Sequence, residues 1–292
     1  MILSIIIVNY NTAKIIINCI DSIYRNTKNI NYEIIVVDNA SKDDSVNFIK
    51  KKYPEIILIE NRINNGYANA INQAIRKSNA EYVFILNPDT ILINDSIQIF
   101  YNYMKENNDI ACCGGNLVNM NSDSVISYGN FPSLKQIFFE EFGIRKIFKK
   151  YYFRKLSPGC VYNESAISKV DYICGADIFI KKSIFEKTGL FDEDFFLYYE
   201  ETEFFYRLKK SGYKSVILPE ARIIHLEGQS LKNDEFEKLK LKKKSEFLFF
   251  KKCHGGFSSF SAKFLYLYGC LLKLIFKLDG TQFKKFKIIF NA

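Results

Sequence analysis

Residues 1–11 read MILSIIIVNYN. The apolar run from Ile2 to Val8 has strand length, is dominated by isoleucine and stops at Asn9. An apolar run without alternation is what a strand covered on both faces requires. Three more follow within the first hundred residues, at Glu33 to Val37, Ile56 to Ile59 and Tyr82 to Leu86. Between them apolar side chains recur at helical spacing: Ile16, Ile20 and Ile23, then Val46 and Ile49, then Ala70, Ala74 and Ile75. Strand and helix in alternation imply right-handed crossovers and an α/β fold with a mostly parallel central sheet flanked by helices.

Ligands of an open parallel sheet bind outside the carboxyl ends of its strands. Here every such end is polar: Asn9-Tyr10-Asn11, then Asp38-Asn39-Ala40-Ser41, then Asn61 to Gly66, then Asn87-Pro88-Asp89. Any one of these is an ordinary turn or helix cap. Four together on one rim mark a ligand site. Asp89 is placed to hold a hard divalent cation while phosphates and water complete the shell. Asp38 is placed to accept the imide N–H of a uracil or thymine ring, with Tyr10 packed against that ring.

Further along, Gln98 to Lys105 has helical spacing, and Ile110 to Val118 reads as a strand with Gly114-Gly115 at a turn or close approach. Residues 128–159 have no clear period. Their aromatic and basic side chains suit either an amphipathic element on an acceptor or membrane face, or a helical hairpin packed on the core. Order returns at Ile178 to Ile180, with a short helix after Ser183 and two short strands around Val216 to Leu218 and Ile223 to His225.

The run from Phe191 to Glu203 places six carboxylates among aromatics. Apolar neighbours raise a carboxylate's pKa toward the range of a general base. The same residues also suit the N-terminus of a helix running to Lys210. His225 ends a strand in a chain with two histidines, and is a candidate metal or phosphate ligand.

These segments taken in order resemble the family 2 glycosyltransferases of GT-A fold, and among them the bacterial rhamnosyltransferase-like members. The motifs are SIIIVNYN, EIIVVDNASKDDS, NNGYANAINQAI, YVFILNPDT, GADIFIKKSIFEKTGLFDEDFFLYYEETEFFYRLKKSGY and HLEGQS, spread over residues 2 to 230. The resemblance implies that Val8, Asn9, Tyr10, Asp38, Asn65, Gly66 and Asn72 line the donor site. It implies that Asn87 and Asp89 replace the family's metal-binding Asp-x-Asp, Asp89 being the ligand. It places the general base on Glu200 or Glu201, with Glu201 favoured although the family usually has aspartate there. The implied reaction is an inverting, metal-dependent transfer, with Mn2+ or Mg2+, from a UDP- or dTDP-sugar to a glycan hydroxyl. A catalytically inactive nucleotide-sugar-binding subunit is the alternative that the glutamate at 201 suggests.

The 292 residues carry a net charge of +9. Residues 231–292 hold 14 lysines against 5 acidic residues, so the whole excess lies in that segment. The expected organisation is therefore a GT-A domain over 1–230 and a basic, aromatic, helical extension over 231–292. Basic amphipathic helices lie in the headgroup region of anionic membranes; packing on the catalytic domain or on a second subunit is the other reading. The charge comes with no nucleic-acid motif. The initial apolar run is too short for a signal peptide, and no run of about 18 apolar residues exists to span a bilayer. The seven cysteines have no CxxC pair and read as buried apolar residues in a reducing compartment. A cytoplasmic enzyme, peripheral on the inner face of the cell membrane, acting on a lipid-linked acceptor in surface polysaccharide synthesis, and able to form a homo-oligomer, is the expectation. No GxGxxG follows the first strand, which argues against a nicotinamide dehydrogenase. The first strand end also lacks the glycine-rich basic loop of a sugar nucleotidyltransferase.

Overall fold

The computed structural model describes residues 1–162, 165–226, 235–277 and 280–292. Its strands are β1 (Leu3–Asn9), β2 (Tyr32–Asp38), β3 (Ile57–Glu60), β4 (Tyr82–Leu86), β5 (Thr90–Leu92), β6 (Ile110–Val118), β7 (Ile126–Gly129), β8 (Cys160–Val161), β9 (Ser168–Val170), β10 (Tyr172–Ile173), β11 (Asp177–Lys181) and β12 (Lys214–His225). The helices are α1 (Ala13–Asn26), α2 (Ser45–Lys52), α3 (Tyr67–Lys77), α4 (Ser96–Glu106), α5 (Leu134–Glu141), α6 (Lys149–Lys155), α7 (Ser183–Thr188), α8 (Glu200–Lys210), α9 (Glu235–Phe249), α10 (Gly256–Lys277) and α11 (Gly280–Asn291).

Among the described residues the main sheet runs β3-β2-β1-β4-β11-β6-β12-β5, with β9 also paired to β12. The first four strands are mutually parallel, as their Ile- and Val-rich runs require. β1 is buried along its whole length, so both faces of the sheet are covered. One face packs Ile16, Ile20 and Ile23 of α1 with Phe100 and Met104 of α4. The other packs Ala70, Ile71 and Ala74 of α3 with Phe204 and Phe205 of α8. β11 enters antiparallel between β4 and β6, and divides β3, β2, β1 and β4 from β6, β12 and β5.

One expectation is corrected. The two short strands around Val216 and Ile223 are one strand, β12, irregular between Leu218 and Arg222. Pro219 has no N–H for the ladder, so the pairing breaks there without ending the strand. The stretch without period contains helices α5 and α6. Both are short, and the apolar contact of α5 is made by Ile137 with Phe247, Phe250, Ala262 and Tyr266 of the C-terminal helices.

Those helices also pack on the sheet domain. Phe249 meets Phe195 and Tyr199, Ser245 donates to Leu197 O at 2.8 Å, and Tyr206 donates to Cys253 O at 3.2 Å. Lys252 bridges Asp192 and Asp194. The expected boundary at 230/231, and Glu227 to Ser230 of HLEGQS, lie outside the described residues.

Candidate active site

The site is assembled at the carboxyl ends of β1, β2 and β4. Asp38 ends β2, and its Oδ1 accepts from Asn9 Nδ2 at 2.6 Å while Oδ2 accepts from Ser41 N at 2.9 Å. Asn9 is fully buried and its Oδ1 accepts from the Thr12 hydroxyl. The Asn9 side chain holds Asp38 in place from the end of the neighbouring strand. Val8, behind Asn9, is buried in the β1 face, and Tyr10 stands half-buried at the rim.

The glycine loop packs against the acidic loop. Gly66 has φ +90°, and a Cβ there would lie 2.6 Å from Phe196 O. Tyr67 N donates to that same carbonyl at 2.8 Å. Gly66 thus approaches the backbone of the acidic loop closely. Asn39, which sequence reading passed over, positions the loop by donating to Asn64 Oδ1 and Gly66 O. Asn65 is exposed on it. Asn72, expected at the donor, is buried: its Nδ2 donates to Phe191 O and Glu193 Oε1, and its Oδ1 accepts from Phe191 N. It clamps the acidic loop onto α3.

Asp89 and His225 are brought together by the pairing of β5 with β12, which sets His225 opposite Thr90. His225 Nε2 lies 3.5 Å from Asp89 Oδ1, and Leu226 N donates to Asp89 O at 2.9 Å. Asp89 is 4% exposed, and His225 Nδ1 is buried without a hydrogen-bond partner. A buried carboxylate 3.5 Å from an imidazole nitrogen fits a divalent cation, whose remaining positions phosphate oxygens and water would fill. Among the described residues no third His, Cys, Asp or Glu joins them.

The six carboxylates of the acidic run separate by their partners. Asp192 and Asp194 take Lys252. Glu193 accepts from Asn69, Asn72 and Arg76. Glu203 binds Arg207 in a fork, at 2.7 and 2.9 Å. Glu200 and Glu201 remain, each with a buried Oε2 that has no partner. Burial, and then the charge of Glu201, push the Glu200 carboxyl well above the ordinary range. Burial pushes Glu201 up too. Both open α8 directly after Tyr198 and Tyr199, whose φ values of 69° and 68° are left-handed. The Glu201 side chain faces Gly175, where a Cβ would lie 3.7 Å from Glu201 Cδ.

Tyr67 links the two groups. Its hydroxyl donates to Asn87 Oδ1 at 2.8 Å and approaches Gly175 O at 3.4 Å. Burial first, then the charges of Glu200, Glu201 and Asp89, push this phenol well above its ordinary value. One hydroxyl therefore feels the carboxylate pair and the metal-side aspartate together. The sequence signal for it was the position directly after Gly66, at the start of α3.

The glycosyl transferase family 2 profile matches residues 4–170. A low-salt glycan biosynthesis hexosyltransferase of Haloferax volcanii is 30% identical over 214 residues, 72% of this chain and 62% of its own length. The chain thus spans less than two thirds of that relative. An N-acetylglucosaminyl-diphospho-decaprenol L-rhamnosyltransferase of Mycobacterium tuberculosis is 23% identical over 239 residues, 76% of each chain. Among solved structures, GalNAc-T7 with UDP, GalNAc and Mn2+ superposes with TM-score 0.62 at 14% identity, over 86% of this chain and 48% of that one. A mannosyltransferase of Pyrobaculum calidifontis with GDP-Man and Mn2+ gives 0.59 at 16% identity, over 92% and 71%. At such identities the likeness speaks for the fold, which is GT-A as expected. The profile covers more than half of the sequence, and the chain belongs to glycosyl transferase family 2.

Proposed function

We propose that the protein is an inverting glycosyltransferase moving a sugar from a UDP- or dTDP-linked donor to a hydroxyl of a lipid-linked glycan acceptor, in surface polysaccharide synthesis on the cytoplasmic side of the membrane. The observation that carries this reading is the pair Glu200 and Glu201: each has one buried carboxyl oxygen without a hydrogen-bond partner, and their charges are felt by Tyr67, whose hydroxyl bonds Asn87 on the strand end that bears Asp89.

Asp38, fixed by Asn9 and Ser41, offers its carboxylate edge to the imide of a pyrimidine base. Glu201 is the base. It is the less buried of the two, and burial and then the charge of Glu201 raise Glu200, so Glu201 gives up its proton before Glu200 does. A carboxylate raised by burial draws the proton from an acceptor hydroxyl more strongly than an ordinary one. The hydroxyl oxygen then attacks the anomeric carbon as the bond to the diphosphate breaks, and one displacement inverts the configuration. Bound at Asp89 and His225, a divalent cation supplies positive charge opposite the departing diphosphate.

Calorimetric titration of UDP and dTDP, with and without Mn2+, tests the donor side on the wild type and Asp89→Ala. Metal-dependent binding that the variant loses is expected, and equal binding by both proteins would remove Asp89 from the site. The anomeric configuration of the product, read by NMR, tests inversion. Donor binding without transfer to any lipid-linked acceptor would return the reading to an inactive subunit.

A further inference from the structure

The C-terminal helix α10 carries a surface that the catalytic reading does not use. Among the described residues, its exposed side chains are Phe257, Phe260, Phe264, Tyr268, Leu271 and Ile275. Successive separations of three or four residues put them on one face of the helix. Over this span the stripe runs roughly 27 Å at 1.5 Å per residue. These are not marginal exposures: Phe257 is 82%, Phe260 68% and Ile275 73% open. The two lysines within the span point elsewhere. Lys263 lies over the Phe247 ring, and Lys273 binds Glu141 at 2.6 Å.

The stripe continues onto the segment that lacked a period. Phe264 stacks on Tyr268, Tyr268 meets Phe142 at 5.9 Å between ring centres, and Phe142 meets Phe138 at 4.7 Å. Residues 145–155 follow directly, reading RKIFKKYYFRK, with six basic residues and no acidic one. All six basic side chains are exposed, and so are Ile147, Phe148, Tyr151 and Phe153 between them. On α11, Lys284 and Lys287 are exposed beside Phe283 and Phe290.

We propose that the α10 stripe and residues 138–155 form one docking face for an anionic lipid bilayer, with α10 lying in the plane of the headgroups. An apolar stripe flanked by cations matches the two layers of such a surface, acyl chains below and anionic phosphates above. A second copy of the chain would set like-charged faces against each other across a two-fold axis, which disfavours it. Among the described residues no helix is long and apolar enough to cross a membrane, so α10 lies on the bilayer instead of through it. The extension that presents this face also packs, through Phe249, on Tyr199 immediately before Glu200. Docking therefore brings the base to the surface where a lipid-anchored acceptor resides. That consequence rests on the catalytic reading; the docking face does not.

The test is co-sedimentation of the full chain with vesicles of phosphatidylglycerol and phosphatidylcholine, against phosphatidylcholine alone. The wild type is expected to bind the anionic vesicles at least tenfold more tightly. The double variant F260D/F264D and the triple variant K146E/K149E/K150E are each expected to lose at least tenfold, with unchanged melting temperature and UDP binding, because all five side chains are exposed. Absence of wild-type binding to anionic vesicles, or variants that bind as the wild type does, would overturn the proposal. So would a wild-type dimer that F260D/F264D converts to a monomer without vesicle binding, which would assign the face to a second copy. Vesicle binding requires no turnover, so its failure and a failure of glycosyl transfer are read separately.

Discussion

The hydroxyl of Tyr67 donates to Asn87 Oδ1 at 2.8 Å and so ties the first residue of α3 to the strand end that leads to Asp89. A phenol held among three acids keeps its proton, and this hydrogen bond fixes the Asn87 amide relative to the carboxylate pair. Tyr67→Phe keeps the ring and frees the amide. The expected outcome is about a tenfold fall in kcat/KM, the scale of one lost hydrogen bond of about 1 kcal/mol plus a displaced neighbour. Steady-state kinetics with the donor varied would measure it, and an unchanged kcat/KM would leave Tyr67 a packing residue only.

Glu201→Gln is expected to lower kcat by a factor on the order of 10² to 10⁴ while leaving donor binding within a few-fold, since it removes only the proton acceptor. The wild-type pH profile gives an independent reading. Burial raises the Glu201 carboxyl, so activity should fall on the acid side around a pH above the ordinary carboxylate value of about 4.3. That acid limb should be missing from the residual activity of the variant. A Glu200→Gln variant as inactive as Glu201→Gln would move the base to position 200.

Glu200 bears on stability as well. Its folded-state pKa is raised, so between the ordinary carboxylate value and the raised one the folded chain holds a proton that the unfolded chain has released. Stability from this group is therefore greater at the acid end of that window and declines as pH rises through the raised value. Glu200→Gln should flatten the decline and melt above the wild type at the alkaline end, with the curves converging toward the ordinary carboxylate range. Parallel melting curves across this range would remove the buried charge as a cost to the fold.

Asn72→Ala removes three hydrogen bonds, two to Phe191 and one to Glu193. With each worth about 1 kcal/mol, a loss of about 2 to 3 kcal/mol is expected, seen as a lower denaturation midpoint. Because the released loop runs on to Glu200, kcat should fall too, while UDP affinity changes little. A large loss of UDP affinity with unchanged stability would restore Asn72 to the donor site.

The parallel half of the sheet and its polar strand ends were legible because they are local: an isoleucine-rich run of strand length closed by Asn or Asp needs no distant partner to be read. The bounds of β4 and β6 follow from such runs directly. Other features depend on pairings remote in sequence. The meeting of Asp89 with His225 requires β5 to lie beside β12, and neither strand announces the other. Asn9 and Asn72 have the composition of ligand residues, yet each is used up by a neighbouring loop, which no spacing discloses. The split of the acidic run into paired and unpartnered carboxylates turns on Asn69, Arg76 and Lys252, from two other parts of the chain.

Two adjacent tyrosines, Tyr198 and Tyr199, hold left-handed backbone angles at the entrance to α8. Side chains with a Cβ resist that conformation by about 1 to 2 kcal/mol each. The turn persists because Tyr199 is wedged against Phe195 and Phe249, and Phe249 belongs to the C-terminal extension. The shape of the catalytic turn is thus leased from a segment nearly fifty positions away in the sequence. Anything that pulls α9 from its seat, a bilayer or a truncation, acts on the aim of the two carboxylates before it touches any residue of the site.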